Sequence, residues 1–242
     1  MDFDYKAEKI GKTISICCTE DHTFGTDAII LFDFADIKRK DRVCDLGTGC
    51  GIMGILAAEK SDNTVYGVDI QEKAVRQAEL SAVLSGLEGK FKPLEADIKN
   101  LSGASFDTPF TAVLCNPPYF KADSGKISSN MAHAIARQEI KCDIKDVVLA
   151  ASKILCDKGR LCLCNRPDRL VDVISAMREV KIEPKRIQFV KNKKGEAWLF
   201  LVEGKKSASS GIQVMKDLNI TPGEEYTDTY NRYHREVKNN EG

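Results

Sequence analysis

The feature that most constrains this 242-residue chain is a glycine-rich segment between an apolar run and an apolar helix. Residues 42–51 begin as a strand and become a Gly-x-Gly-x-Gly turn, and residues 52–60 continue as a helix. This order opens a nucleotide-binding βαβ unit, because glycine lets a ligand approach the backbone above a helix N-terminus. Gly54 supplies a later glycine, so the glycines alone do not exclude a dinucleotide site. The chain is predicted to form an α/β domain.

Acidic residues occur at the ends of three successive predicted strands. Asp45 precedes the glycines, Asp69 ends the strand over residues 64–69, and Asp97 ends a third strand that closes over residues 95–98. Open α/β sheets bind ligands at the carboxyl ends of their strands. Asp45 disfavours a pyrophosphate, since a carboxylate repels phosphate, and favours an amine or a cation. Asp69 lies where an acid normally holds a ribose diol, and Asp97 is placed to accept from an adenine amino group.

Another strand ends in an unusual motif. The apolar run over residues 111–115 leads directly into Asn116, Pro117, Pro118 and Tyr119. Proline lacks an N–H and fixes its φ angle, so the strand stops there with free carbonyls beside the Asn116 side-chain oxygen and the Tyr119 ring. Hydrogen-bond acceptors beside a flat apolar ring suit a planar group with an N–H₂. The alternative is a Pro-Pro turn that only ends a strand.

The composition describes an ordinary globular protein, with 43% hydrophobic and 30% charged residues and no net charge. No apolar stretch is long enough for a bilayer, and the acidic N-terminus is unlike a signal peptide. Nine cysteines without Cys-x-x-Cys spacing and three scattered histidines favour neither a metal site nor disulfides. We therefore expect a reduced, cytoplasmic protein without metal or membrane contact. No pattern indicates an oligomeric state.

The rest of the chain alternates between short strands and amphipathic helices. Gly25 provides a turn before a buried helix, for which Thr26 or Asp27 is the expected N-cap. Two strands joined by residues 191–196 predict a terminal antiparallel hairpin. The other predicted elements are strands at 13–18, 160–164, 185–190 and 197–202 and helices at 71–84, 144–156 and 169–180.

Together these motifs resemble those of S-adenosylmethionine-dependent amino-methyltransferases. The segments over residues 24–28 and 136–139 further resemble the bacterial tRNA adenine-N6 methyltransferases, which modify adenine 37 beside the anticodon of a valine tRNA. The resemblance covers roughly residues 13–203. It implies a Rossmann-like class I methyltransferase with a mainly parallel seven-stranded sheet flanked by helices and a terminal antiparallel hairpin.

The resemblance also implies which residues bind S-adenosylmethionine and its product S-adenosylhomocysteine. Asp45 is expected near the methionine amino group, Asp69 at the ribose hydroxyls, and Asp97 at the adenine amino group. The glycine loop is expected under the cofactor, and the segment before the first helix is expected to cover the methionine end. The expected cofactor-binding residues are Phe24, Gly25, Thr26, Asp45, Gly47, Thr48, Gly49, Gly51, Asp69, Ile70, Asp97, Ile98 and Asn116.

The predicted reaction is methyl transfer to the exocyclic N6 of an adenine in tRNA. The Asn116 side-chain oxygen and the Pro117 carbonyl are expected to accept the two hydrogens of the amine, while Tyr119 stacks on the splayed base. Positioning then carries most of the catalysis. The expected catalytic residues are Asn116, Pro117, Pro118 and Tyr119.

Other interpretations remain open. Guanine N2 of rRNA or a protein glutamine fits the same acceptors, although glutamine methyltransferases usually carry an N-terminal helical domain that this chain lacks. DNA methylation would need a target-recognition domain, and a non-catalytic cofactor- or RNA-binding module is a remoter alternative. The expected organisation is a covering strand and helix (residues 1–40), a methyltransferase core (residues 41–204) and a polar extension (residues 205–242). Three tyrosines in that extension indicate either a packed tail or RNA contact.

Overall fold

A computed structural model describes residues 4–19, 22–117 and 143–220. The predictions for Pro118, Tyr119, the segment over residues 120–141 and the tail after residue 220 lie outside the described residues. Within the described ranges, no helix combines the length and apolar character needed to cross a membrane.

The described chain forms a two-stranded hairpin and one large sheet with helices on both faces. The strands are β1 (Lys6–Ile10), β2 (Ile14–Cys18), β3 (Val43–Leu46), β4 (Val65–Asp69), β5 (Phe91–Glu95), β6 (Phe110–Cys115), β7 (Leu155–Asn165), β8 (Ile182–Lys191), β9 (Ala197–Lys206), β10 (Gln213–Val214) and β11 (Leu218–Asn219). The helices are α1 (Thr26–Ala35), α2 (Ile52–Lys60), α3 (Glu72–Leu84), α4 (Ile144–Ile154) and α5 (Leu170–Glu179).

The large sheet has the expected topology. Its strand order is β10-β8-β9-β7-β6-β3-β4-β5, and β11 also pairs with β8. Strand β9 runs antiparallel to β7 and β8, while β3 to β7 pair in parallel. The seven longer strands confirm the predicted Rossmann-like sheet with a terminal antiparallel hairpin. The two-residue strands β10 and β11 extend its edge.

Alternate residues of a strand point to opposite faces of the sheet, and in the central strands both sets are apolar. Val43 and Leu114 belong to a core shared with α1, α2 and α3. Cys44 and Val113 belong to a second core shared with α4 and α5. A continuous apolar run is typical of parallel strands covered on both faces, and the central strands show this pattern.

The register aligns the carboxyl ends of the central strands. Leu46 at the end of β3 is opposite Cys115 at the end of β6, and Asp69 at the end of β4 is opposite Glu95 at the end of β5. Four strands therefore end in one row, at the edge where the sequence predicts a ligand site.

Two local predictions are wrong. The N-cap of α1 is Gly25, not Thr26 or Asp27, and no side chain caps the helix there. Strand β5 ends at Glu95, before Asp97, whose carboxylate accepts a hydrogen bond from the Lys99 backbone N–H and starts a short 3₁₀ turn. A local bond from an aspartate to the backbone competes with strand pairing, which explains the earlier end.

The sequence reading missed β1. Among the described strands β1 pairs with β2 alone, and most of its side chains are exposed, so its sequence carries only a weak strand pattern. The other predicted elements are confirmed with shifted bounds, and β7, β8 and β9 are longer than expected.

Candidate active site

The loop after β3 is shaped by glycines with left-handed backbone conformations. Gly47, Gly49 and Gly51 have φ angles of 72°, 53° and 87°. Glycine adopts such angles without the steric cost that a Cβ would impose. The Gly47 and Thr48 N–H groups both donate to the Val68 carbonyl, at 2.8 and 3.1 Å, and so tie the loop to the end of β4.

These glycines have different surroundings. A Cβ added to Gly47 or Gly49 would meet no atom within 4 Å, so these two residues face open space. A Cβ on Gly51 would lie 3.0 Å from the Phe91 ring and 3.1 Å from the Ala78 Cβ. Gly47 and Gly49 thus leave room for a ligand, whereas Gly51 allows the loop to pack on α3 and β5.

Asp45 is fully buried beneath the loop. Its Oδ2 atom accepts hydrogen bonds from the Thr48 hydroxyl at 2.8 Å and from the Gly54 N–H at 3.1 Å. Its Oδ1 atom is also buried and finds no hydrogen-bond partner within the described part of the chain. Burial raises the pKa of the Asp45 carboxyl to about 7, against the lowering effect of those two hydrogen bonds. A buried acceptor without a partner is costly, and a ligand amine would satisfy it.

Asp69 closes β4 and faces the same loop. Its Oδ2 atom accepts from the Gly49 N–H at 3.0 Å, and its Oδ1 atom accepts from the Gln71 N–H at 3.0 Å. A carboxylate offers about four acceptor positions, so both oxygens retain capacity for ribose hydroxyls. The next residue, Ile70, is exposed and could cover an adjacent ligand ring.

Asp97 follows the neighbouring strand β5 and is only partly buried. Its Oδ1 atom accepts from the Lys99 N–H at 3.0 Å, while Ile98 packs against the second core. The structure therefore joins Asp45 and Asp69 through the glycine loop, but no described contact links Asp97 to that loop. Its role at an adenine amino group stays a prediction.

Asn116 directly follows β6, as the sequence predicts, and both ends of its amide contact side chains from other elements. Its Nδ2 atom donates to Asp27 Oδ2 at 3.0 Å, and its Oδ1 atom accepts from the Cys164 thiol at 3.1 Å. Asp27 belongs to α1 and Cys164 to β7. Pro117 follows as a buried residue. The sequence predicts Asp27 only as a helix cap and Cys164 only as a strand residue.

The covering segment before α1 is bound to α3 by buried polar side chains, of which Gln77 makes the most contacts. Gln77 donates from Nε2 to the carbonyls of Cys17 and His22, at 2.5 and 2.7 Å. Phe24 packs against the first core, and Thr26 is buried at the start of α1. Gln77 was missed, although a polar residue on the apolar stripe of a helix is a readable signal.

The opposite end of α1 is held by arginines. Arg186 donates to the Phe34 carbonyl at 3.0 Å and to Glu203 at 2.6 Å. Arg160 donates to the Ala35 carbonyl at 3.4 Å and pairs with Asp41 at 2.6 Å. Cations near the last carbonyls of a helix stabilise it through hydrogen bonding and the helix dipole. Helix α1 is therefore fixed at its C-terminal end by arginines and at its N-terminal end by the contact with Asn116.

A metal centre is not indicated by the described side chains. Among them, no group of three or more His, Cys, Asp or Glu residues is arranged to hold a metal ion. The eight cysteines in the described ranges form no disulfide, and seven of them are buried.

Comparison with known proteins identifies relatives over more than half of the chain. A curated tRNA1(Val) (adenine(37)-N6)-methyltransferase from Aeromonas salmonicida is 31% identical over 141 residues, which are 57% of this chain and 57% of the relative. The match thus spans little more than half the length of that relative. Curated proteins of the same name from other bacteria match at similar identity.

Solved structures with the same fold are more distant in sequence. A predicted O-methyltransferase from Agrobacterium tumefaciens is 22% identical, with a TM-score of 0.64 over 85% of this chain and 95% of its own. Geranyl diphosphate C-methyltransferase from Streptomyces coelicolor, solved with S-adenosyl-L-homocysteine, is 14% identical, with a TM-score of 0.54 over 74% of this chain and 76% of its own. These likenesses establish the class I methyltransferase fold.

The family model described as the methyltransferase small domain matches residues 18–168, from the last residue of β2 through the glycine loop and Asn116 to just beyond β7. The match includes Asp45, Asp69 and Asn116, which lie at the carboxyl ends of β3, β4 and β6. The chain belongs to the methyltransferase small domain family.

Proposed function

We propose that this protein transfers a methyl group from S-adenosylmethionine to the exocyclic N6 of an adenine in tRNA, at position 37 of a valine tRNA in the cytoplasm. The observation that carries the proposal is Asn116, an amide at the carboxyl end of β6 held by two side chains beside the glycine-loop edge. The names of the curated relatives support the substrate.

The residues at the glycine loop fit the cofactor. The buried Asp45 Oδ1 atom needs a hydrogen-bond donor, which the methionine ammonium group would supply. Gly47 and Gly49 leave open space above the loop, and Asp69 retains acceptor capacity for a ribose diol. When bound, S-adenosylmethionine supplies an electrophilic methyl group on a sulfonium.

The residues at the end of β6 fit the acceptor. An exocyclic adenine nitrogen is a poor nucleophile, because its lone pair is shared with the ring. Asn116 Oδ1 and the Pro117 carbonyl would accept its two hydrogens and so favour a pyramidal nitrogen with a directed lone pair. Tyr119, outside the described residues, would stack on the splayed base.

Two buried cysteines, Cys162 and Cys17, are unsuited to forming a covalent enzyme intermediate. Burial raises the pKa of Cys162 to about 12 and that of Cys17 to about 11. A thiolate is the nucleophilic form of cysteine, so these buried thiols stay protonated and unreactive at neutral pH.

The test uses the full chain, labelled S-adenosylmethionine, unmodified tRNA and a release-factor protein with a glutamine acceptor. The expected product is N6-methyladenine at position 37, identified by nucleoside mass spectrometry and mapping of the digested tRNA. Label at guanine N2 or in protein glutamine, with none at adenine N6, would overturn the substrate. Binding of S-adenosylhomocysteine without transfer to any acceptor would favour a non-catalytic module.

A further inference from the structure

We propose that Asp27 is a positioning residue for the transfer: it holds the Asn116 amide so that Oδ1, not Nδ2, faces the acceptor amine. This inference rests on the proposed function, because it concerns the orientation of the group that receives the amine hydrogens. Asp27 belongs to α1 and Asn116 follows β6, 89 residues further along the chain.

The chemistry of the contact determines the orientation of the amide. A carboxylate only accepts hydrogen bonds, whereas an Asn side chain has a donating end and an accepting end. Asp27 Oδ2 lies 3.0 Å from Asn116 Nδ2. Turning the amide over would place two oxygen acceptors against each other at that distance, which is unfavourable. Asp27 therefore selects one of the two amide orientations.

Cys164 selects the same orientation from the other side. Its thiol is a donor and lies 3.1 Å from Asn116 Oδ1. Donors and acceptors thus alternate from Cys164 through Asn116 to Asp27. A thiol is a weak hydrogen-bond donor, and an amide oxygen can accept two hydrogen bonds, so the contact with Cys164 is compatible with a hydrogen bond from the acceptor amine.

The backbone before Asp27 is shaped to leave room for its carboxylate. A Cβ added to Gly25 would lie 2.5 Å from Asp27 Oδ1. Gly25 has a φ angle of −111°, which any residue can adopt, so the glycine is not required for conformation. What it provides is space for the Asp27 side chain.

A purely structural role for Asp27 would come from its place in the first turn of α1, where an acidic residue stabilises the helix dipole. That role depends on the charge and not on contact with Asn116. It predicts a loss of stability for charge removal, without a specific loss of turnover.

The first experiment is Asp27→Asn, which keeps the shape but can either donate to or accept from Asn116. We expect kcat for tRNA methylation to fall by about 10- to 100-fold, in line with the loss of a charge-assisted hydrogen bond, while the KM for tRNA and the affinity for S-adenosylhomocysteine stay near wild type. Asp172→Asn is the matched control, because Asp172 is the first-turn acid of α5. It is expected to keep wild-type kcat.

A second variant tests the same contact without changing Asp27. Gly25→Ala should displace the Asp27 carboxylate and lower kcat in the same way. Thermal stability should change little, because the added methyl group meets the end of the Asp27 side chain, which can rotate away, and not the backbone. The side-chain amide signal of Asn116 in ¹⁵N NMR, identified by its absence in Asn116→Ala, should shift in Asp27→Ala. It should stay unchanged in Asp172→Asn.

Wild-type kcat in Asp27→Asn, or an Asn116 amide signal unmoved in folded Asp27→Ala, would overturn the inference while the proposed function stands. A fall in melting temperature with unchanged kcat would assign Asp27 the structural role instead. If the wild-type protein methylates no tRNA, the proposed function fails, and the NMR signal still decides whether Asp27 holds Asn116.

Discussion

The candidate site has two halves that are built in different ways. In the glycine-loop half (Asp45, residues 47–51 and Asp69), carboxylates bind the loop and the first turn of α2 through partners 3, 9 and 20 residues away in sequence. In the Asn116 half (Asn116, Asp27 and Cys164), side chains meet across separations of 89 and 48 residues. The first half is defined by local backbone geometry, and the second requires α1 and β7 to dock correctly against β6.

This difference assigns separate duties to the two halves. Backbone donors and a carboxylate without a full set of partners suit the binding of a fixed cofactor. An amide oriented by neighbouring side chains suits the alignment of a reacting nitrogen. Variants in the first half should therefore alter cofactor affinity, and variants in the second should alter turnover.

The largest effect is expected for Asn116→Ala. Transfer should fall by at least about a hundredfold, as it does when one positioned polar group is removed from other active sites. Affinity for S-adenosylhomocysteine, measured by calorimetry, should stay near wild type. Asn63→Ala is the matched control, because Asn63 binds the Lys40 and Asp41 carbonyls at the amino ends of β3 and β4, whereas the candidate site lies at the carboxyl ends. A large loss of cofactor affinity in Asn116→Ala would erase the division between the halves.

Asp45→Asn should affect binding and stability in opposite directions. Loss of the carboxylate should weaken binding of S-adenosylhomocysteine by about 2–3 kcal/mol, the scale of a hydrogen bond between charged groups. The ligand-free variant should gain stability relative to wild type at pH 8, because it no longer buries a charge. Unchanged affinity would remove Asp45 from the cofactor site.

The pH dependence of that gain follows from the raised pKa. Burial raises the folded-state pKa of Asp45 from 3.8 to about 7, so the folded protein binds a proton that the unfolded chain has released. Its contribution to stability therefore falls as the pH rises from about 4 to about 7 and is constant above. Melting temperatures should show the gap between Asp45→Asn and wild type widening over this window. A gap that does not change with pH would contradict the buried charge.

Asp69→Ala should weaken cofactor binding by about 1–3 kcal/mol, since it removes charge-assisted hydrogen bonds to the ribose and also the bond that holds Gly49. Asp97→Ala gives a comparison outside that half, because Asp97 is partly exposed and its carboxylate binds the Lys99 N–H and no described part of the loop. Its effect on affinity should be smaller. If Asp97→Ala weakens cofactor binding as much as Asp69→Ala does, Asp97 contributes to cofactor binding as much as Asp69.

The contrast between the halves also explains what could be predicted from sequence. Asp45, the glycines and Asp69 could be identified from the sequence as candidate ligand-binding residues, because each lies at a strand end and the strands alternate with helices. The register then had to bring them to one edge, as parallel strands do. The lack of a described hydrogen-bond donor for Asp45 Oδ1 could not be predicted from the sequence, because it depends on where every neighbouring donor points.

The partners of Asn116 could not be predicted for a different reason. The sequence predicts Asp27 as a helix cap, since an acid at a helix start normally binds the local backbone. In the structure its carboxylate accepts a hydrogen bond from Asn116, 89 positions away, and Gly25 occupies the N-cap position of the helix. Strand β1 was missed because its exposed, charged residues carry little apolar alternation.

The smallest effect is expected at Cys164, and two variants there separate orientation from competition. Cys164→Ala removes a weak donor from Asn116 Oδ1 but leaves Asp27 in place, so kcat should stay within about threefold of wild type. Cys164→Ser is closer in shape but places a stronger O–H donor on the same oxygen. Because that hydroxyl competes with the acceptor amine, the serine variant should turn over more slowly than the alanine variant. Single-turnover rates at saturating cofactor measure this order. If alanine is the slower of the two, or as slow as Asp27→Asn, the thiol itself orients the amide, and Asp27 loses its distinct role in the Asn116 half.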